Sequence, residues 1–167
     1  MIAARGGGTR WLAWDRERYP YLVNVHWSRG APLTVVVQNR AQTEVAVLAA
    51  DPRTGKTRAL HVERDPAWVN IDQQMPRWLP DGSGFLWTSD RAGMTRLELR
   101  DSGGKLVRPL TPEGLNHRKL VDLAPAADEL FVEANTGGAG ATEVHLYRLS
   151  LSAGAAPVRV SRERGHH

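Results

Sequence analysis

A frame of short apolar runs and turns occurs twice in this chain, and it constrains the fold more than any other feature. In the second copy, Trp78 ends one apolar run, the turn Pro80-Asp81-Gly82-Ser83-Gly84 follows, and another apolar run begins. The first copy begins at Trp27, which lies 51 positions before Trp78. The same spacing of 51 separates Arg40 from Arg91, the arginines that close the second run. A period of about 40–50 residues made of strands and turns is typical of β-propeller blades.

A third copy of this pattern can be recognised, although its residues match the first two copies less well. Leu120-Val121-Asp122-Leu123 takes the place of the first run, residues 124–129 replace the turn, and residues 130–135 replace the second run. Apolar and polar residues alternate with period two in several segments, as half-buried strands require. We therefore predict an all-β chain, a β-propeller fragment of about three four-stranded antiparallel blades. The predicted strands lie near 21–27, 32–38, 44–50 and 56–62; near 73–78, 84–89, 94–101 and 105–110; and near 117–123, 128–134, 143–150 and 157–161.

The repeat also divides the chain. Propellers close with typically 4–8 blades, so three blades leave two flanks uncovered. We expect the chain to be a piece of a larger protein, and to self-associate through its flanks when isolated. The segment from Trp11 to Trp14 is expected to cross over between copies. The predicted divisions are 1–18 for a tail and the last strand of a preceding blade, 19–66 for blade one, 67–115 for blade two, 116–162 for blade three, and 163–167 for a tail that can include a tag remnant.

Composition narrows the classes of function. The 167 residues carry a net charge of +4 and give a sequence pI of about 10.0. The Lys and Arg residues are dispersed, so nucleic acid is not an expected partner. No apolar stretch approaches the ~20 residues of a membrane helix, and no membrane partner is expected. No signal peptide is visible, which leaves the cytoplasm or the periplasm of a bacterium open. The absence of Cys excludes disulfides and thiolate metal sites.

No local catalytic motif is visible. The nucleophile elbow Gly-x-Ser-x-Gly is missing, because Gly82-Ser83-Gly84 lies in a turn between strands. The histidines at 26, 61, 117 and 145 are too far apart in sequence to indicate a metal site, and we expect His26 and His145 to be structural. We therefore expect no catalytic residue, no metal and no cofactor in this chain.

Repeated positions of the frame are expected to have structural roles. Trp27 and Trp78 hold the same place in their blades, so packing between blades explains them, and Trp87 is expected in the core. The residues predicted to support the blade frame are Trp27, Arg40, Trp78, Asp81, Trp87, Asp90 and Arg91.

Arg40 and Arg91, the arginines that close the second apolar run of each copy, are expected to form specific hydrogen bonds. We expect the guanidinium groups of Arg40 and Arg91 to bond backbone carbonyls or an acidic residue of their own or a neighbouring blade. Asp90 and Glu44 are the candidate partners.

The connector between the first two blades carries the candidate binding residues. It runs from Arg64 to Pro76, enters an innermost strand, and is rich in hydrogen-bonding side chains. One interpretation is a long polar loop with one buried Trp; the other is part of a rim that faces a ligand. The candidates for a substrate channel are Trp68, Asn70, Asp72, Gln73 and Gln74.

Several of these stretches together resemble the propeller of the dipeptidyl peptidase IV family of serine peptidases. The resemblance covers roughly residues 19–151. Its motifs are Asn39-Arg40-Ala41-Gln42, Asp51-Pro52-x-Thr54-Gly55, Glu63 with Trp68-Val69, Pro76-x-Trp78-x-x-Asp81-Gly82-x-x-Phe85-x-Trp87-x-Ser89-Asp90-Arg91-x-Gly93, Leu97, Leu110-Thr111 and His145-Leu146-Tyr147.

The resemblance implies a function for a longer protein. Members of the family place an eight-bladed propeller over an α/β-hydrolase domain and remove dipeptides from peptide N-termini. The implied partners are the remaining blades, the hydrolase domain and a peptide substrate. The family's catalytic triad belongs to the hydrolase domain, and its pair of glutamates belongs to an earlier propeller segment; neither is carried over to this chain. A propeller of the TolB type, which binds proteins or acts as a scaffold without a peptidase, is the alternative, because Pro-Asp-Gly-Ser-Gly turns occur in both.

Overall fold

The computed structural model describes residues 8–91 and 93–162, and within them it contains three four-stranded antiparallel sheets. Each sheet follows the chain from strand to neighbouring strand, as in a propeller blade. The all-β fold of three blades predicted from the sequence is therefore confirmed. Blade one consists of β1 (Tyr21–His26), β2 (Leu33–Gln38), β3 (Glu44–Ala50) and β4 (Thr57–Arg64); blade two of β5 (Arg77–Trp78), β6 (Gly84–Arg91), β7 (Met94–Asp101) and β8 (Leu106–Pro109); blade three of β9 (Asn116–Ala124), β10 (Glu129–Asn135), β11 (His145–Ser150) and β12 (Val158–Arg159).

Helical structure in these residues is limited to two short 3₁₀ turns, Pro125–Ala127 and Gly138–Gly140. None of the helices in the described ranges is long and apolar enough to span a bilayer. The innermost strand β5 has only two residues, where the sequence predicted a strand from about residue 73. The connector before it is correspondingly longer, and this length provides the surface described below.

A single apolar core joins the three blades. Strand β2 reads Leu-Thr-Val-Val-Val-Gln and is buried throughout, because both of its faces are covered. Its Val36 faces blade two, where Trp78, Phe85 and Leu97 belong to the same buried cluster. That cluster continues into blade three. Burial of apolar surface between successive sheets therefore holds the arc together.

The N-terminal segment covers part of the opposite face of blade one. Leu12, Trp14 and Tyr19 pack against a second buried cluster that includes Val35 and Val37. Ala13 forms an isolated parallel bridge with residue 56, so the segment lies beside the start of β4. The segment predicted to cross between copies thus packs on its own blade one in this structure.

The 51-residue period is an average over small differences in turn length. The first strands of blades one and two are 51 positions apart, the second strands 52, and the third strands 50. Arg91 lies within β6 opposite Met94, whereas Arg40 lies in the turn after β2, so the two arginines do not occupy equivalent positions. The cross-strand pair His26–Thr34 of blade one corresponds to Arg77–Leu86 of blade two. The pair Gln38–Val45 of blade one corresponds to Asp90–Thr95 of blade two.

The expectation for Arg40 is wrong. Its side chain is exposed, and it bonds no residue of the described ranges. Glu44, its candidate partner, is instead occupied by Arg18, Arg64 and the Tyr19 hydroxyl. The side chain of Arg91 lies outside the described part of the structure.

The packing between blades expected for Trp27 stays a prediction, because it needs a preceding blade. Trp78 is 6% exposed and donates its Nε1–H to Thr34 Oγ1 of blade one at 2.9 Å. Trp27 holds the equivalent place in blade one but is 66% exposed. The difference arises because Trp78 faces the preceding blade, and no blade of this chain lies on the corresponding side of Trp27. Trp87 is buried, as predicted.

Candidate functional site

The connector from Asp65 to Pro76 is built from alternating anchors and polar side chains. Asp65 Oδ1 accepts the amides of Ala67 and Trp68 at 2.7 and 2.9 Å, which turns the chain. The Val69 amide then donates to the Gln42 carbonyl at 2.9 Å, next to the β2–β3 turn. Val69 and Met75 are buried, so they fix the path of the connector over the blade edge. The predicted single buried Trp is not among the anchors, since Trp68 is 54% exposed.

The polar side chains of the connector are tied to blade two. Asn70 Nδ2 donates to Asp90 Oδ2 at 2.7 Å, and Asp90 Oδ1 accepts the Thr95 hydroxyl at 2.6 Å. Asp72 Oδ2 accepts the Thr88 hydroxyl at 3.2 Å. The bonds of Asn70 and Asp72 join the connector to the end of β6, and the bond between Asp90 and Thr95 links that end to β7. Asp90, predicted as a frame residue, therefore belongs to this edge.

Three adjacent clefts lie along the connector. The outer cleft, about 300 Å³, includes Trp68 and Asn70 in its lining. The connector cleft, about 370 Å³, is lined by Asn70, Asp72 and Gln73 on one side and by residues of blades two and three on the other. The inner cleft, about 360 Å³, includes Gln73 and Gln74. The structure thus brings all five sequence-predicted candidates to one edge of the arc.

The inner cleft also contains residues that sequence reasoning did not select. Its lining includes His26 of β1, Arg77 of β5 and the β9 residues 120–123, so all three innermost strands meet there. Burial lowers the pKa of His26, although a hydrogen bond to the Met75 carbonyl opposes the shift; the Arg77 charge lowers it further. His26 is therefore neutral near pH 7, in keeping with the structural role predicted for it. Its Nε2 is buried without a partner among the described residues.

His117 is the least expected member of the connector cleft. It is 1% exposed, and neither ring nitrogen has a hydrogen-bond partner within the described ranges. Burial lowers the pKa of His117 to about 4, against the opposing effect of the Asp72 charge. No sequence signal marks this residue, because its burial depends on packing between blades two and three.

The Trp-x-Ser part of the frame has a structural explanation. Trp87 Nε1 and Ser89 Oγ both donate to the buried Glu63 carboxylate of blade one, at 3.2 and 2.9 Å. His61 Nε2 lies 2.9 Å from the same carboxylate. Asp81, as predicted, stabilises its turn by accepting the Ser83 amide and hydroxyl at 3.0 and 2.7 Å. These residues hold the blades together and do not line the clefts.

One group of side chains has the composition of a catalytic triad but a structural geometry. His145 Nδ1 lies 3.1 Å from Ser161 Oγ, and His145 Nε2 lies 3.4 Å from Glu143. Ser161 Oγ also accepts the Leu146 amide at 3.1 Å, so the hydroxyl ties the segment after β12 to β11. This agrees with the structural role predicted for His145. In residues 8–91 and 93–162, no group of three His, Asp or Glu side chains could hold a metal ion.

Three successive four-stranded antiparallel blades define a segment of a β-propeller. The chain belongs to the family described as the dipeptidyl peptidase IV (DPP IV) N-terminal region, which matches over residues 1–167. The family resemblance stated from the sequence is thereby confirmed.

Two solved structures show the same fold. Dipeptidyl peptidase 4 from Porphyromonas gingivalis matches with a TM-score of 0.76 and 18% identity, over 87% of this chain and 20% of that chain. A putative dipeptidyl aminopeptidase IV from Bacteroides ovatus matches with a TM-score of 0.66 and 18% identity, over 80% of this chain and 21% of that one. The chain thus spans about a fifth of the length of these proteins.

Proposed function

We propose that this chain is a non-catalytic part of the β-propeller of a dipeptidyl peptidase IV-like serine exopeptidase. Its three clefts form a stretch of the wall that gates and orients peptide N-termini for a separate α/β-hydrolase domain. The observation that carries the proposal is the meeting of Trp68, Asn70, Asp72, Gln73 and Gln74 along one blade edge. Fixed hydrogen-bonding groups at a set distance from a nucleophile select and orient a substrate without taking part in chemistry.

The test is made in the longer protein that contains this chain. The double variant Gln73→Ala/Gln74→Ala is compared with Arg53→Ala, which lies in the exposed β3–β4 turn and lines none of the three clefts. We expect kcat/KM for a peptide of six or more residues to fall several-fold in the double variant, through KM, and to be unchanged in Arg53→Ala. Equal kcat/KM in both variants contradicts the proposed role of the wall.

The isolated chain should not cleave an Ala-Pro chromogenic substrate, because catalysis requires a nucleophile, a base and an oxyanion site together. Hydrolysis that disappears when a Ser of this chain is replaced would overturn the proposal.

The flanks support a second part of the proposal, association with other blades. Val25 and Trp27 are 49% and 66% exposed in blade one, and Val158 is 47% exposed in the last strand of blade three. A contiguous exposed apolar surface normally marks an interface. In the longer protein the remaining blades and the hydrolase domain cover these surfaces; the isolated chain self-associates. Light scattering at micromolar concentration tests this directly, and a stable monomer near 18.4 kDa would contradict it.

A further inference from the structure

The connector cleft has an unusual balance of hydrogen-bonding groups. Asp72 and Asp90 are both half-buried in its lining. Each accepts two hydrogen bonds from neutral donors: Asp72 from the Gln74 amide and Thr88, Asp90 from Asn70 and Thr95. A carboxylate has about four acceptor positions, so both retain acceptor capacity. Neither forms an ion pair with a side chain that the structure describes.

A buried imidazole adds a further acceptor to the same lining. His117 is 1% exposed, and both ring nitrogens lack partners among the described residues. A neutral imidazole offers one acceptor nitrogen and one N–H. Since burial keeps this ring neutral near pH 7, it adds no positive charge beside the two carboxylates. Unpaired buried polar atoms are unfavourable, so a ligand that supplies the missing donor is favoured.

We infer that the connector cleft binds the basic side chain of a peptide, an arginine guanidinium above all, between Asp72 and Asp90 and next to His117. The occupant must be rich in donors, because the cleft presents two carboxylates and an imidazole nitrogen as acceptors. A guanidinium has five N–H donors, no acceptor, and a planar shape that suits carboxylates. The cleft of about 370 Å³ is within the size range of small-ligand sites. The inference rests on the proposed function only in that the occupant is a peptide.

The one cation in the described lining of the cleft provides an internal control. Arg118 of β9 has an exposed side chain, so solvent and salt screen its charge. It repels a bound cation weakly. Removal of this charge should therefore strengthen binding, while removal of the Asp72 charge should weaken it.

The experiment uses the 167-residue chain, labelled for NMR, with N-acetyl-arginine amide and N-acetyl-citrulline amide as probes. The two probes have nearly the same shape and differ in charge. We expect saturable shifts of the His117 ring and the Asn70 side-chain amide with the arginine probe, and at least about tenfold weaker binding of the citrulline probe. Ala-Pro amide, which carries an ammonium group only at its N-terminus, should bind no better than citrulline.

Variants then assign the site. Asp72→Asn should abolish the preference for arginine, and Arg118→Gln should increase the affinity about two-fold or more. Glu113→Gln removes a carboxylate charge from an exposed side chain that lines none of the three clefts, and should leave binding unchanged. If Asp72→Asn unfolds the chain, the stronger binding expected for Arg118→Gln and the unchanged binding expected for Glu113→Gln still decide.

Equal binding of the arginine and citrulline probes, no saturable binding, equal binding of Ala-Pro amide, or the same weakening by Glu113→Gln as by Asp72→Asn would each overturn this inference. None of these outcomes touches the proposed wall, which is judged by peptide cleavage in the longer protein.

Discussion

Replacement of Glu63 by glutamine should loosen the contact between blades one and two. Glu63 is 4% exposed and accepts hydrogen bonds from Trp87 Nε1 and Ser89 Oγ of the neighbouring blade. Glutamine keeps one oxygen but places an amide donor where the other oxygen was, so at least one buried donor loses its acceptor. An unsatisfied buried donor costs about 1–3 kcal/mol, and hydrogen bonds to a charged group contribute about 1.5–3 kcal/mol each. We expect the free energy of unfolding to fall by about 2–4 kcal/mol.

Urea unfolding followed by circular dichroism measures this change, with the m-value as a check that unfolding remains two-state. The control is Glu113→Gln, because the Glu113 side chain is 90% exposed and lies 3.5 Å from Arg96 in a surface pair. Such pairs contribute little, so this variant should change the free energy by less than about 0.5 kcal/mol. Ser89→Ala removes one donor but leaves the carboxylate bonded, and should cost about 1 kcal/mol. A Glu63→Gln variant as stable as the Glu113→Gln control would refute the reasoning.

Three further predictions follow from single contacts. Gly104→Ala should lower the free energy of unfolding by more than about 2 kcal/mol, because a Cβ there would lie 1.8 Å from the Leu60 carbonyl oxygen and the φ of +93° is strained for alanine. The control Gly114→Ala has a φ of +82° but open space around the Cβ, so it should cost only about 1 kcal/mol in the same urea assay. Because the pKa of His117 is lowered to about 4 in the folded chain, the free energy of unfolding should be highest above about pH 6.5 and should fall by up to about 3 kcal/mol as the pH drops toward 4. His117→Leu should lose less stability than the parent chain between pH 7 and 4.5. A His117 ring that titrates near pH 6.5 by NMR would contradict this prediction. Burial, together with the hydrogen bond to Glu44, raises the pKa of Tyr19 to about 12, so the phenolate absorbance that disappears in Tyr19→Phe should develop only above about pH 11.

The sequence predicted the fold because the signals that define it are local. Period-two alternation, the Asp81 turn and the apolar run of β2 depend on residues within a few positions of one another. These local signals persist when turns differ by one residue in length. A spacing of 51 could therefore be recognised although equivalent strands of blades one and two lie 50 to 52 positions apart. The same tolerance explains the error at Arg40. Equal spacing in sequence did not guarantee equal place in the sheet, because a bulge or a longer turn shifts the register.

The candidate site was predicted in part, for a related reason. A polar connector that enters an innermost strand must lie at a blade edge, so Asn70, Asp72 and Gln73 could be selected from sequence. Glu63 and His117 could not, because their burial is created by another blade. Glu63 meets side chains 24 and 26 positions away, and no local pattern records such contacts.

The exposed Trp27 defines the kind of neighbour that blade one requires. Its counterpart Trp78 packs on blade one and donates to the Thr34 hydroxyl, which stands on the second strand of that blade. In blade three, the position equivalent to Thr34 is held by Phe131. The pairing of Asp122 with Phe131 corresponds to that of Arg77 with Leu86 in blade two and of His26 with Thr34 in blade one. A phenyl ring cannot accept the indole N–H as a hydroxyl does, so blade three of a second copy would leave that donor poorly satisfied. The complementary neighbour of blade one is therefore a blade with Ser or Thr at this position, and self-association of the isolated chain should be weaker than its contact with such a blade.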